Sequence, residues 1–268
     1  MEQLKVASAQ FELTDGDIGK NMEQAEKMVR TVMKESDVDL MLFCEVCLDN
    51  PGNLENIAQI LTDDVRREIR EFWLRMAKIS GMAILAGYID KNEAGRWQNF
   101  ASCFTPEGEI LGTYAKSHLY FSERNFFEPG DDPVVFTYKG WRIAPLICAD
   151  LGFPEFSRIQ ASKGVDLFCV PSCWAYPHDE LWILSNRMRA AENGAYLVSC
   201  NRLGAEDGGR MNLGHSMAVN PEGDVLANLS VQKEGYFIVN LYKDEIAAAR
   251  ESCQWLRWVR PELYKALL

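Results

Sequence analysis

"IAPLICADLGFPEF" (residues 143–156) ends a run of apolar residues on Cys148 and then breaks direction through a small residue, an acid, a glycine and Phe-Pro-Glu. A thiol at the end of a buried strand has two readings. It is a small hydrophobe filling the core, or a nucleophile at a strand tip, where α/β folds place their sites. The flanking segments set the architecture. Upstream, "PVVFTYKGWRIAPLIC" (133–148) reads as a hairpin ending on Cys148. Downstream, "PEFSRIQASKG" (154–164) reads as a short helix stopped by Gly164, and "VDLFCVPS" (165–172) as another apolar strand.

The same alternation runs through the rest of the chain. "KVASAQFEL" (5–13), "VDLMLFCEV" (38–46), "MAILAGYID" (82–90), "AYLVSCNR" (195–202) and "GYFIVNLY" (235–242) read as strands, several apolar enough to be covered on both faces. Residues 15–35 carry Ile18, Met22, Ala25, Met28, Val29 and Val32 along one helical stripe, and 63–80 form a second amphipathic helix. Residues 179–194 form a third, with Gly194 suited to its C-terminal cap. Residues 99–116 read as two strands around a Pro-Glu-Gly turn, and 215–229 supply further strands. Helices alternating with apolar strands, interrupted by hairpins, predict α/β layers: two mixed sheets with helices outside.

Hydrophobic residues make up 47% of the 268 and charged residues 25%, ordinary globular usage for a chain able to bury a sizeable core. No linker or low-complexity tract divides it, so one domain spanning 1–268 is expected. A formal charge of −11 repels phosphate backbones and argues against nucleic acid as partner. No apolar run reaches the ~18 residues that span a bilayer, and "MEQLKVASAQFEL" lacks the pattern of a secretory leader. A cytoplasmic location is therefore expected, with no disulfides among the eight cysteines and no membrane contact. His118, His178 and His215 are scattered without metal-ligand spacing, so neither metal nor cofactor is expected.

Three apolar strands end near Glu45, Cys148 and Trp174, and a set of segments in fixed order extends that observation. "LFCE" at Glu45, "GTYAKSHL" at Lys116 and "ICADLGFPE" at Cys148 are followed by "PSCW" (171–174), "RAAEN" (189–193), "NRLG" (201–204) and "GHSMAVNPEGDVL" (214–226). "SERNFFEPGD" (122–131) puts Glu123 between the second and third. From about residue 4 to residue 264 the chain resembles the nitrilase superfamily, the carbon–nitrogen hydrolases, whose hallmark is Glu, Lys and Cys in this order. The resemblance implies a four-layer α-β-β-α sandwich and assembly as a homodimer or larger homo-oligomer. It also implies a small-molecule substrate.

The implied chemistry suits these residue types. A cysteine splits amide hydrolysis into two easier steps through a thioester. Cys148 would be the nucleophile, Glu45 the general base that takes its proton from a free pKa of about 8.5, and Lys116 the cation facing the developing oxyanion. The N–H of Ala149, next after the nucleophile, would be a second oxyanion donor. Glu123 would be the fourth catalytic group, orienting Lys116 and the substrate, and Trp174 a wall of the substrate pocket. Taken singly, Glu45, Lys116 and Glu123 also read as solvated charges, Cys148 and Trp174 as core, and Arg189 with Glu192 as a pair on one helix.

Departures from the family pattern bear on the substrate. Cys44 stands where proline commonly precedes the base, and Ala149 where an aromatic commonly follows the nucleophile; a smaller side chain there widens the pocket or makes room for a neighbour. "CAD" lacks the Trp-Glu that follows the nucleophile in true nitrilases. "FFEPGD" and "NRLG" lean towards amidases and N-carbamoyl hydrolases rather than enzymes acting on nitriles. Two readings of another class attach to the cysteines: "CEVC" (44–47) as a redox dithiol, and the same pair joined by "CVPSC" (169–173) as a four-thiolate zinc site. A catalytically silent scaffold is a third.

Overall fold

The computed structural model describes residues 2–50, 52–207 and 209–264. In chain order the elements are β1 (Gln3–Gln10), α1 (Ile18–Glu35), β2 (Leu40–Leu42), α2 (Ile57–Ile60), α3 (Asp63–Ser80), β3 (Ala83–Lys91), β4 (Trp97–Phe104) and β5 (Ile110–Ala115). The second half holds β6 (Phe136–Tyr138), β7 (Trp141–Pro145), α4 (Pro154–Ser162), β8 (Leu167–Ser172), α5 (Asp179–Ala191) and β9 (Tyr196–Asn201). It continues through β10 (Leu203–Ala205), β11 (Met211–Leu213), β12 (Met217–Val219), β13 (Val225–Asn228), β14 (Gly235–Tyr242), α6 (Lys243–Ser252) and α7 (Pro261–Tyr264).

Among the described residues the strands form two six-stranded sheets, ordered β14-β1-β2-β3-β4-β5 and β13-β12-β9-β8-β7-β6, plus the β10–β11 ribbon. Each large sheet centres on three parallel strands, β1, β2, β3 in one and β7, β8, β9 in the other, flanked by antiparallel neighbours. The central strands are buried along nearly their whole length, the signature of strands covered on both faces. The sheets face one another; Ser8 Oγ on β1 donates to the Ser199 carbonyl on β9 across 2.9 Å. Helices α1 and α3 cover the outside of the first sheet, and α4 and α5 that of the second. This is the predicted α-β-β-α sandwich of two mixed sheets.

Helix α3 occupies the predicted residues, because Thr62 caps it at Val65 N–H and Gly81, at φ +73°, closes it. Helix α1 starts at Ile18 rather than residue 15, where the Asp17 side chain accepts from Lys20 N–H. Helix α5 ends at Ala191, short of Gly194. The larger difference is at 38–46: regular pairing there stops at Leu42. The chain then curls through Val46 at φ +42° while staying buried as far as Asp49, so apolarity persists beyond the strand. Arg189 on α5 does pair with Glu192, the residue just past its C-terminus.

Beneath the β10–β11 ribbon, the buried Arg202 guanidinium meets the buried Asp15 carboxylate at 2.7 Å. Removing one member of a buried pair strands the other charge, typically at 3–5 kcal/mol. Asp15→Ala should therefore lower unfolding free energy by about 3 kcal/mol, measured by urea titration of the purified protein.

Candidate active site

The site forms where strand C-termini from both sheets meet. Glu45 follows β2, Lys116 follows β5, Cys148 lies beyond β7, and Cys173 and Trp174 follow β8. In both sheets these strands deliver their last residues to one edge, where open α/β sheets carry their ligands.

Lys116 is the hub. Its ammonium contacts Glu45 Oε1 at 2.7 Å and both Glu123 oxygens at 2.9 and 2.8 Å, with its side chain only 2% exposed. The backbone fixes the lysine: its N–H donates to the Asn99 carbonyl and its carbonyl accepts from Gly130 N–H. Glu123 sits in a short 3-10 turn, Phe121–Asn125, and its Oε2 also accepts from Tyr120 N–H. Glu45 is held on every side. Oε1 also accepts from Asn99 Nδ2 at 2.8 Å, Oε2 accepts from Cys173 N–H at 2.9 Å, and its carbonyl accepts from Cys173 Sγ. Gly87 on β3 makes this position possible: a Cβ there would lie 2.6 Å from Glu45 Cα.

Cys148 opens a 3-10 turn, Cys148–Gly152, with φ +45°, a left-handed conformation uncommon outside glycine. Such a residue persists only where its surroundings over-determine it. Asp150 does so here. Its fully buried carboxylate accepts from Ile147 N–H and Tyr114 Oη through Oδ2, and through Oδ1 from His118 N–H with His118 Nδ1 at 2.8 Å. The chain before the nucleophile is thereby tied to the strand carrying Lys116.

The electrostatics assign resting states. Burial pushes the Glu45 carboxyl up, but the Lys116 charge and the bonds from Lys116 and Asn99 outweigh it, leaving Glu45 below its ordinary range. Burial opposes the charge on Lys116, yet two carboxylates hold it well above the ordinary lysine value. Burial and then the Glu45 charge push the Cys148 thiol up to about 12, against the pull of Lys116. The lysine does favour the thiolate, as expected, but burial prevails. The pocket therefore holds a carboxylate, an ammonium and a neutral thiol at rest.

Two cavities meet at Cys148. One, about 860 Å³, is lined by Glu45, Lys116, Glu123 and Cys148; the other, about 340 Å³, by Cys148, Ala149 and Trp174 among others. All six residues singled out from the sequence thus lie at one place. The sequence reading missed Asn99, Asp150 and Arg210. Arg210, on the approach to β11, donates to the Cys173 carbonyl and lays its guanidinium over Tyr120, 5.7 Å from the ring centroid. The acid two residues after Cys148 was visible in "CAD"; Arg210 had no local signal. The Cys44 and Cys47 thiols lie together, but the four-thiolate zinc site does not assemble. Cys169 is buried in β8 beside Cys103, whereas Cys44 and Cys47 lie near Cys200. Among the described residues no group of three or more His, Cys, Asp or Glu is placed to hold a metal ion.

A sandwich with Glu, Lys and Cys converging at its strand ends defines a class, and comparison with known proteins gives the family. The model of the carbon-nitrogen hydrolase family matches residues 5–251. The chain belongs to that family and is an amidohydrolase. It is 31% identical over 254 residues to an (R)-stereoselective amidase of Pseudomonas sp, covering 95% of this chain and 90% of the relative. The structure of a carbon-nitrogen hydrolase from Helicobacter pylori G27 superposes with TM-score 0.92 at 24% identity, covering 100% of this chain and 98% of that one. An amidase from Nesterenkonia sp. AN1, carrying the acetamide moiety of fluoroacetamide covalently at its active site cysteine, superposes with TM-score 0.87 at 25% identity over 99% and 97% of the two chains.

Three outcomes follow from the geometry. Gly87→Ala drives a methyl group into the Glu45 backbone; a displacement near 1 Å at a reacting group costs about 10²-fold, and kcat should fall on that scale in a protein that keeps its circular dichroism. With Glu45 held low and Cys148 high, kcat/KM should lose its acid limb only as pH falls below the ordinary glutamate range. Alkylation of Cys148 in the free protein should keep rising above pH 9 instead of levelling near the free thiol value. The Glu45 pairing stabilises the fold above its unfolded pKa and is lost as pH drops through the lower folded value.

Proposed function

We propose that the protein hydrolyses a small amide or N-carbamoyl compound through a thioester on Cys148. The observation that carries this reading is the buried Lys116 ammonium, bonded to Glu45 and Glu123 beside a cysteine in a left-handed turn. The cysteine adduct in the Nesterenkonia amidase supports the choice of nucleophile.

The steps balance on these groups. As Cys148 Sγ bonds to the carbonyl carbon, its proton passes to Glu45, whose low pKa keeps it ready as a carboxylate. Negative charge moves onto the carbonyl oxygen, between Lys116 Nζ and the Ala149 N–H. Glu45 then protonates the nitrogen, the C–N bond breaks, and ammonia or an amine leaves. Water next attacks the thioester, with Glu45 taking its proton. The C–S bond breaks, the proton returns to sulfur, and a carboxylic acid departs; a carbamoyl carbon would leave as CO2 with ammonia. Glu123 positions Lys116 and keeps it charged. The family resemblance supports reading the protein as a homo-oligomer.

Ammonia release should be screened over aliphatic amides, N-carbamoyl amines, N-carbamoyl amino acids and nitriles. Release from amides or carbamoyl compounds, with little from nitriles, is the expected pattern. Cys148→Ala should abolish turnover, and mass spectrometry of the wild type with substrate should find the acyl group on Cys148. An adduct elsewhere would overturn the mechanism. Lys116→Ala and Lys116→Arg should each lose at least ~10²-fold in kcat, the scale of one oxyanion donor, since a planar guanidinium cannot occupy the ammonium's point. Near-normal turnover in Lys116→Ala would remove the lysine from the mechanism.

A further inference from the structure

Cys148 forms part of the wall of both cavities, and the two differ in chemistry. The larger holds the three charged groups of the site, Glu45, Lys116 and Glu123; the smaller holds none of them. Arg210 and Tyr120 line both, their cation–π contact standing between the two spaces. Around the smaller cavity are Ala149, Gly152, Phe153, Trp174, Tyr176 and Leu181. Phe153, Tyr176 and Leu181 are 41%, 39% and 51% exposed, so apolar surface beside the nucleophile is left uncovered.

The reaction assigns a direction to each substituent of the carbon bound to Cys148. Sulfur occupies one corner of the tetrahedral intermediate. Oxygen points between Lys116 Nζ and the Ala149 N–H. Nitrogen must face Glu45 to be protonated, which directs the leaving group into the larger cavity. The remaining corner, the acyl substituent, faces away from the carboxylates. We propose that the smaller cavity is the acyl-group subsite and that it selects amides with an apolar, branched or aryl-bearing acyl group. This rests on the amidase reading above. At about 340 Å³ the space is at the lower end of the range for small-molecule sites and accommodates a phenyl ring on a short chain. Ala149 is the reason there is room: its methyl group leaves unfilled the space that a larger side chain after the nucleophile would occupy.

Each methylene buried on binding is worth about fourfold in affinity. The test measures kcat/KM for acetamide, 3-phenylpropionamide and succinamate, the last carrying an anionic acyl group that Arg210 would attract. The expected result is at least a ~10-fold preference for 3-phenylpropionamide over both others. Two variants probe the cavity itself. Gly152→Leu adds a side chain where a Cβ meets nothing within 4 Å, and Leu181→Trp enlarges the opposite wall at an exposed helix position. A fall of ~5-fold or more in the ratio of 3-phenylpropionamide to acetamide in either variant supports the assignment. A preference for acetamide or succinamate in the wild type, or an unchanged ratio in both variants, overturns the subsite while leaving the amidase reading intact. Failure of every amide to release ammonia overturns both.

Discussion

A single ammonium group organises the site. Lys116 Nζ is buried and is compatible with the surrounding core only because two carboxylates converge on it. Each then acquires a fixed place: Glu45 through its bonds to Asn99 and Cys173, Glu123 through the turn that its own carboxylate stabilises at Tyr120 N–H. Remove the cation and the buried Glu45 carboxylate and the partly buried Glu123 carboxylate face one another without compensation. Remove either acid and a buried lysine loses half its support. The arrangement is therefore one unit, and the resting charges of all three follow from it.

That unit also bears on how a thiol pushed up to about 12 would act in the proposed reaction. The neutral form is the ground state because burial and a neighbouring carboxylate both oppose the thiolate. In the proposed mechanism the same carboxylate accepts the proton, so deprotonation and attack are joined, and negative charge then arises on the substrate oxygen, close to Lys116, rather than persisting on sulfur. Asp150 contributes at one remove, holding the left-handed turn that presents the thiol and linking it to Tyr114 and His118 near the lysine.

Much of this was readable from local sequence, and the parts that were not share a cause. Helix α3 and strand β14 follow from periodicity, caps and turns within their own residues. Glu45, Lys116 and Cys148 were legible because strand ends place them, and because the family order links segments that no local rule connects. The end of β2 was not legible: the chain beyond Leu42 leaves the sheet yet stays in the core, so hydropathy carries no mark of the change. Asn99 and Arg210 act through partners 54 and 37 residues away in the chain. The β10–β11 ribbon is too short for any periodicity to register.

The two large sheets share one plan, three parallel strands with antiparallel flanks, but they do not each carry a site. Glu45 and Lys116 come from the first, Cys148 and the Cys173 N–H that grips Glu45 from the second. A chain in which either layer has formed alone holds only half of the reacting groups. The Cys173 N–H reaches Glu45 across 128 residues of sequence, so the contact exists only once the layers have docked. Contacts of such separation are slow to form in folding because a long loop must close first. Chemical competence and the docking of the layers are thus one event, and the reactive centre is a gauge of whether the sandwich has closed.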